Sequence, residues 1–242
     1  MSQNAPQSPR PYNPFDEGKV LLIDKPLDWT SFDVVRKIRG RVKTKKVGHA
    51  GTLDPLATGL LILCTGKFTK RINEYMAREK EYTGSITLGA TTPTYDLESE
   101  PENIKDISSL TPERLQETVA RFTGDIMQVP PIHSAIKKDG IRVYELARKG
   151  QDVKLEPRPV TIKEFEITEI SFPLIRFRVV CTTGTYIRSL ANDVGADLGC
   201  GGYLSSLCRT RIGEFRLEQA MDIMTAENYI KTELEAAAPP QP

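Results

Sequence analysis

Segments with strand-like and helix-like patterns follow one another irregularly along this chain, and that order restricts the fold more than any other feature. Apolar and polar positions alternate over Tyr82 to Leu88, Val160 to Phe172 and Ile175 to Cys181, which is typical of strands with one buried face. Ser31 to Val42 and Thr185 to Leu198 instead repeat apolar residues at helical spacing. Because strands and helices do not alternate strictly, we expect an α+β or mixed α/β domain without a doubly wound parallel sheet.

Part of a basic segment lies within the first of these predicted helices. Ser31 is a candidate N-cap, and Phe32, Val35, Ile38 and Val42 share one apolar face. The basic side chains of this helix are therefore expected to point to solvent or to a partner.

Cysteine, histidine and hydropathy patterns exclude several classes of protein. The four cysteines have no C-x-x-C spacing and only two histidines are present, so the usual zinc sites cannot form. The longest apolar run, Leu60 to Cys64, is far shorter than the roughly 20 residues that span a bilayer, and the N-terminus lacks the apolar core of a secretory signal. We expect a soluble, cytoplasmic protein with reduced cysteines, no membrane contact, no metal and no cofactor.

Charge is distributed unevenly along the chain although the net charge is only +1. Between Val34 and Leu53 there is no acidic residue, whereas the basic residues are Arg36, Lys37, Arg39, Arg41, Lys43, Lys45 and Lys46. Such a block is typical of a contact with nucleic acid, and Lys43, Lys45 and Lys46 are the candidate RNA ligands. A solvated helix face is the alternative.

The segment from Val47 to Gly59 is predicted to be a loop, and its composition from Gly48 onward is unusual. Closely spaced glycines permit close backbone approach to a ligand, and Pro55 stiffens the chain after Asp54. One carboxylate on a rigid loop beside a basic block suits a nucleophile or acid that acts on a polyanion. The alternative is that Asp54 only caps the following turn.

A second candidate lies where a strand leads into the late helix. Arg188 falls in the first turn of that helix, where the helix dipole disfavours a cation. It therefore needs a carboxylate partner, either on the surface or in an active site.

Together these segments resemble the bacterial tRNA pseudouridine-55 synthase family (the TruB type), in a short form without a PUA domain. The resemblance extends from about Gly18 to Phe215 in the expected order. The blocks that carry it are Lys25 to Ser31, Gly48 to Gly59, Lys80 to Tyr82, Pro130 to Ala135, Gly184 to Arg188 and Leu204 to Phe215.

The resemblance implies roles for individual residues. Asp54 is the catalytic nucleophile, Tyr82 stacks on the target base, and Arg188 pairs with Asp54 and keeps it ionised. The residues that line the uridine site are His49, Tyr186 and Leu207. The implied fold is a central, mixed, mostly antiparallel sheet flanked by helices and long loops, with the cleft across its middle.

The implied reaction is the isomerisation of the T-loop uridine at position 55 of tRNA to pseudouridine, after the base is flipped out. The sequence leaves open whether Asp54 attacks the sugar C1′ or the base C6. Two alternatives also stay open: an RNA-binding protein without catalysis, and a related synthase that acts on ribosomal RNA.

The expected organisation is a single catalytic domain over residues 19–232, between tails at 1–18 and 233–242, with a mobile RNA-contacting insertion at 124–152. We expect a monomer that binds the T-arm of tRNA and needs no other protein. Two positions depart from the family pattern: Asp28 replaces a usual glycine, and His133 replaces a more common tyrosine. The chain after Gly213 is expected to be too short for the PUA domain of longer members.

Overall fold

A computed structural model describes residues 12–132, 134, 137–138, 141–142 and 155–238. The helices are α1 (Pro14–Glu17), α2 (Ser31–Val42), α3 (Ile72–Met76), α4 (Pro112–Arg121), α5 (Ile187–Asp197) and α6 (Ile223–Ala236). The strands are β1 (Val20–Lys25), β2 (Val47–His49), β3 (Ala57–Thr65), β4 (Lys80–Leu88), β5 (Gly124–Gln128), β6 (Lys137–Lys138), β7 (Ile141–Arg142), β8 (Arg158–Ser171), β9 (Leu174–Cys181), β10 (Gly202–Ile212) and β11 (Phe215–Arg216). No helix of these described residues is long and apolar enough to cross a membrane.

One large sheet organises the molecule, in the order β1-β3-β10-β4-β9-β8-β5, with β2 added to β3 and β11 to β10. The pairings are antiparallel except between β3 and β10, where Leu207 lies opposite Ala57 and Arg209 opposite Gly59. The predicted mixed, mostly antiparallel α+β fold is confirmed.

Helices cover the sheet in two groups. Helix α5 packs on β10 and buries Leu190, Ala191 and Val194 in a core shared with β4 and β9. Helices α2 and α6 cover the β1 and β3 end in a second core, which includes Ile38, Leu61 and other apolar residues. The loop between β2 and β3 contacts both groups, because Leu53 belongs to the first core and is hydrogen-bonded to Ser31 of α2.

Helix α2 ends at Val42 as predicted, but its N-cap residue and its buried face differ from the prediction. Thr30 is the N-cap: its hydroxyl accepts a hydrogen bond from the Asp33 backbone N–H, and the Asp33 carboxylate accepts one from the Thr30 backbone N–H. Ser31 is therefore the first helical residue. Val34 replaces Phe32 on the buried face, and Phe32 is 58% exposed.

The structure also corrects the predicted tails. The N-terminal tail is shorter than predicted because Asn13 caps α1 and Phe15 is fully buried. At the other end α6 continues through Ala236, and Glu233 forms an ion pair with Lys19. Residues 1–11 and 239–242 lie outside the described part of the chain.

The predicted insertion and loop contain more regular structure than expected. Residues 124–128 form β5, which pairs with β8, so the insertion cannot begin at 124. His133 and most of 135–154 lie outside the described residues. The segment 47–59, predicted to be a loop, contains β2 and the start of β3. Strand β10 and helix α6 were not predicted.

Candidate active site

Asp54 lies on the turn between β2 and β3, near the middle of the sheet. The Ala57 amide donates to the Asp54 carbonyl at 3.1 Å, closing a turn, and Gly51 adopts a φ of +95° that an L side chain rarely takes. The Asp54 side chain remains 37% exposed. The turn thus presents one accessible carboxylate, and the bond that closes it is accepted by the Asp54 backbone carbonyl instead of the side chain that the capping alternative invoked.

Two buried side chains from outside this turn hold its backbone. The Ser31 hydroxyl exchanges hydrogen bonds with the backbone of Leu53, accepting from its N–H at 2.8 Å and donating to its carbonyl at 3.1 Å. The Lys25 ammonium is fully buried and donates to the carbonyls of Pro26, Trp29 and Pro55. Burial lowers the pKa of Lys25 to about 8, and the nearby carboxylate of Asp54 opposes that shift.

Arg188 lies in the first turn of α5, and its side chain reaches Asp54. Its Nε is 2.9 Å from Asp54 Oδ2, and its side chain is only 5% exposed. A buried guanidinium at this end of a helix is opposed both by desolvation and by the helix dipole. Its ion pair with Asp54 offsets both effects, so the two residues that the sequence pairs are in contact.

A second carboxylate, which sequence reasoning missed, shares Arg188. Asp96 Oδ2 lies 3.5 Å from Arg188 Nε, and the Asp96 side chain is 6% exposed. The Arg188 Nη1 also donates to the Thr94 carbonyl at 3.2 Å. The segment that supplies both groups is fixed by the Leu204 amide, which donates to Tyr95. Arg188 is therefore held between two aspartates instead of serving one.

The pKa of Asp54 is above its ordinary value. Burial is the largest cause; the Arg188 guanidinium lowers the pKa and the Asp96 carboxylate raises it again. Arg188 therefore does not fully offset the effect of burial on the Asp54 pKa. The ionised form of Asp54 thus depends on how closely Arg188 is held.

Tyr82 lies on β4 with Arg209 of β10 opposite on one side and Val179 of β9 on the other. It is 8% exposed and belongs to the same apolar core as Leu53 and Ala57, which flank Asp54. Burial raises the pKa of its phenol. The structure therefore places Tyr82 beside the loop as a buried residue of the strand core.

The three remaining predicted site residues come from separate elements. His49 ends β2, and burial lowers the pKa of its imidazole. Tyr186 is the N-cap of α5; its backbone exchanges hydrogen bonds with Gln128, and the Arg158 guanidinium lies 4.9 Å from its ring centre. Leu207 is half-buried beside Ala57 and Gly84.

The basic block separates into two groups. Lys37 and Arg41 contact Glu227 of α6, and Arg36 contacts Asp33. Lys43, Lys45 and Lys46 are exposed, and within the described residues none of the three pairs with a carboxylate. The predicted RNA ligands are thus exposed cations without a carboxylate partner among the described residues, a property that Arg39 of the same block shares.

Comparison with solved structures identifies the class of this fold. The chain superposes on a chain of the "Crystal Structure of a Cbf5-Nop10-Gar1 Complex" with a TM-score of 0.72 at 28% identity, covering 93% of this chain and 58% of that one. A "Structure of H/ACA RNP bound to a substrate RNA containing 2'-deoxyuridine" gives a TM-score of 0.67 at 26% identity, over 91% of this chain and 56% of that one. This chain spans little more than half of those longer chains. Its fold is that of the pseudouridine synthases.

Sequence comparison narrows this class to one family. The family model described as "TruB family pseudouridylate synthase (N terminal domain)" matches residues 39–187. A relative named tRNA pseudouridine synthase B from Flavobacterium johnsoniae is 53% identical over 222 residues, covering 89% of this chain and 97% of the relative. One of the same name from Phocaeicola vulgatus is 52% identical, covering 89% and 94%. The chain belongs to the TruB family, which confirms the predicted family and its assignment as an isomerase.

Proposed function

We propose that this enzyme converts the T-loop uridine at position 55 of tRNA to pseudouridine, with Asp54 as the nucleophile. The chain isomerises uridine in tRNA, the activity for which its half-identical relatives are named. The observation that carries the assignment of Asp54 is its accessible carboxylate, held 2.9 Å from a buried guanidinium.

The reaction rearranges bonds without a change of oxidation state. The bond between N1 and C1′ breaks, a bond between C5 and C1′ forms, the proton on C5 leaves, and N1 gains one. Asp54 forms a transient bond to the nucleoside while the base rotates, which splits one difficult step into two. Arg188 favours the ionised carboxylate that this attack requires.

The surrounding residues are assigned by position. Tyr82 lies next to the residues that flank Asp54 and supplies a ring for the flipped base, since base–aromatic stacking contributes about 1–3 kcal/mol. Tyr186 and Leu207 form walls of the uridine site, and His49 positions RNA. The cost of extruding the base, a few kcal/mol, is offset by these contacts and by phosphate binding at Lys43, Lys45 and Lys46.

Asp54→Asn tests the nucleophile because it keeps the shape of the side chain and removes its charge. We expect no release of tritium from C5-labelled uridine in a T-arm transcript, with RNA affinity nearly unchanged. Asp106→Asn is the matched control, since that exposed carboxylate accepts from the backbone and hydroxyl of the nearby Ser108. Substantial turnover by Asp54→Asn would reject the assignment.

Mapping of the modified nucleotide tests the substrate. Purified protein incubated with total tRNA and with ribosomal RNA should place pseudouridine at position 55 of tRNA alone. Modification confined to ribosomal RNA would favour that alternative, and binding without modification would favour the non-catalytic one. The proposal also includes that the enzyme is a cytoplasmic monomer and needs no protein partner. Sedimentation of the purified, active enzyme tests whether it is a monomer.

A further inference from the structure

Arg209 is a buried arginine next to the active site that the proposed chemistry does not use. It lies on β10, is 1% exposed, and has Gly59 of β3 and Tyr82 of β4 as its neighbours across the sheet. A buried cation is costly unless its donors are satisfied. The acceptors that satisfy Arg209 therefore indicate its role.

Its acceptors are backbone carbonyls on both sides of Asp54. Arg209 Nε donates to Leu60 at 2.8 Å, Nη2 to Gly51 at 3.1 Å and Nη1 to Thr52 at 3.4 Å. The planar guanidinium directs these donors in fixed directions. One side chain thus ties the residues just before Asp54 to the strand just after it.

The chain is packed closely around this contact. Gly59 has a φ of +99°, and a Cβ there would lie 2.4 Å from the Arg209 carbonyl oxygen. The charge of Arg209, together with its contact to the Tyr82 phenol, also opposes the effect of burial on that phenol's pKa. Arg209 therefore contacts both the support of Asp54 and the ring proposed to receive the base.

We infer that Arg209 is a positioning residue that fixes Asp54 and Tyr82 relative to each other. The inference rests on the proposed function, because it concerns the geometry of that reaction. Without the guanidinium, the turn from Gly51 to Asp54 loses its side-chain link to β10, while the Ser31 and Lys25 bonds remain. A shift of about 1 Å in a reacting group costs roughly 100-fold in rate.

The test compares Arg209→Met, Arg209→Lys and the control Arg211→Met in single-turnover assays of pseudouridine formation in a T-arm transcript. Arg211 lies on the same strand and bonds Gly213 and Glu79 instead of the turn. RNA affinity and thermal unfolding are measured for each variant, and rates are taken well below every unfolding midpoint. Wild-type protein in the same assay tests the proposed function separately.

We expect Arg209→Met to be roughly 100-fold slower with RNA affinity within about threefold of wild type. Arg209→Lys should recover about tenfold of that loss, since it keeps the charge without the planar donors. Arg211→Met should stay within about twofold. If Arg209→Met does not fold, Arg209→Lys carries the test, with a rate loss of about tenfold expected.

Two results would overturn the inference while the wild type stays active. One is an Arg209 variant whose rate is within about threefold of wild type. The other is a loss of rate that Arg211→Met reproduces or that the loss of folded protein explains. An inactive wild type would instead reject the proposed function.

Discussion

Neutralising the three lysines that follow α2 should weaken RNA binding in a salt-dependent way. Lys43, Lys45 and Lys46 are exposed and, in the described part of the chain, have no carboxylate partner. Each phosphate contact contributes about 0.9 to the slope of log affinity against log salt on duplex nucleic acid. If all three lysines contact phosphate, the triple alanine variant should lose about 2.7 from that slope.

This slope has a direct consequence for affinity. Between about 50 and 200 mM salt, wild-type protein should lose about 40-fold more affinity than the triple variant. Fluorescence anisotropy with a labelled T-arm transcript over this range measures both slopes. The rate at saturating RNA should be unchanged, because none of these lysines contacts Asp54.

The matched control neutralises Lys37 and Arg41, which lie on the same basic segment but contact Glu227. Cations that are already paired offer less charge to RNA, so their loss should change the slope by less than about one. Equal slopes of log affinity against log salt for the triple variant and wild type would show that the basic block is a solvated helix face. Equal effects from the two variants would show that net charge, not position, determines binding.

Three further predictions concern single residues. Asp96→Asn removes a charge that raises the pKa of Asp54, so the acid limb of the pH–rate profile should move to lower pH. The rate should also fall because Arg188 loses a partner, and an acid limb that stays in place or moves to higher pH would contradict this. Asp28 has a φ of +63°, a backbone conformation that glycine adopts more easily than alanine. Chemical denaturation should therefore find Asp28→Gly more stable than Asp28→Ala by about 1–2 kcal/mol, and equal stabilities would refute backbone strain at this position. Gly195→Ala places a Cβ 2.1 Å from the Gly202 amide nitrogen, whereas a Cβ at Gly40 would meet open space. Gly195→Ala should therefore lower the free energy of unfolding by about 2 kcal/mol or more and Gly40→Ala should raise it by about 0.5–1 kcal/mol, and equal losses of stability in the two variants would disprove this contrast.

Local patterns predicted the regular elements well where a single period continues without interruption. The helical repeat on α5 and the alternation on β9 extend over their elements. Strand β10 was missed because its register shifts between Leu204 and Ser206, and again between Arg209 and Arg211. Each shift resets the alternation, so no long period-2 pattern remains in the sequence.

The candidate site was predictable only where a motif gave the residue. The contact between Asp54 and Arg188 followed from the resemblance and from the position of Arg188 on its helix. Asp96 lies in a stretch rich in acidic residues, and nothing local separates it from its neighbours. Its role depends on the bond from the Leu204 amide to Tyr95, a tertiary contact that sequence spacing does not contain.

The position of β10 between β3 and β4 has a consequence for synthesis of the enzyme. Asp54 belongs to the part of the sheet built on β1 and β3, whereas Tyr82 belongs to the part built on β4 and β9, and β10 alone joins the two parts. Ribosomes make β10 after both parts, so a nascent chain carries open sheet edges on β3 and β4 until that strand arrives. Open edges invite pairing with other chains, so the chain is most prone to aggregation in this interval.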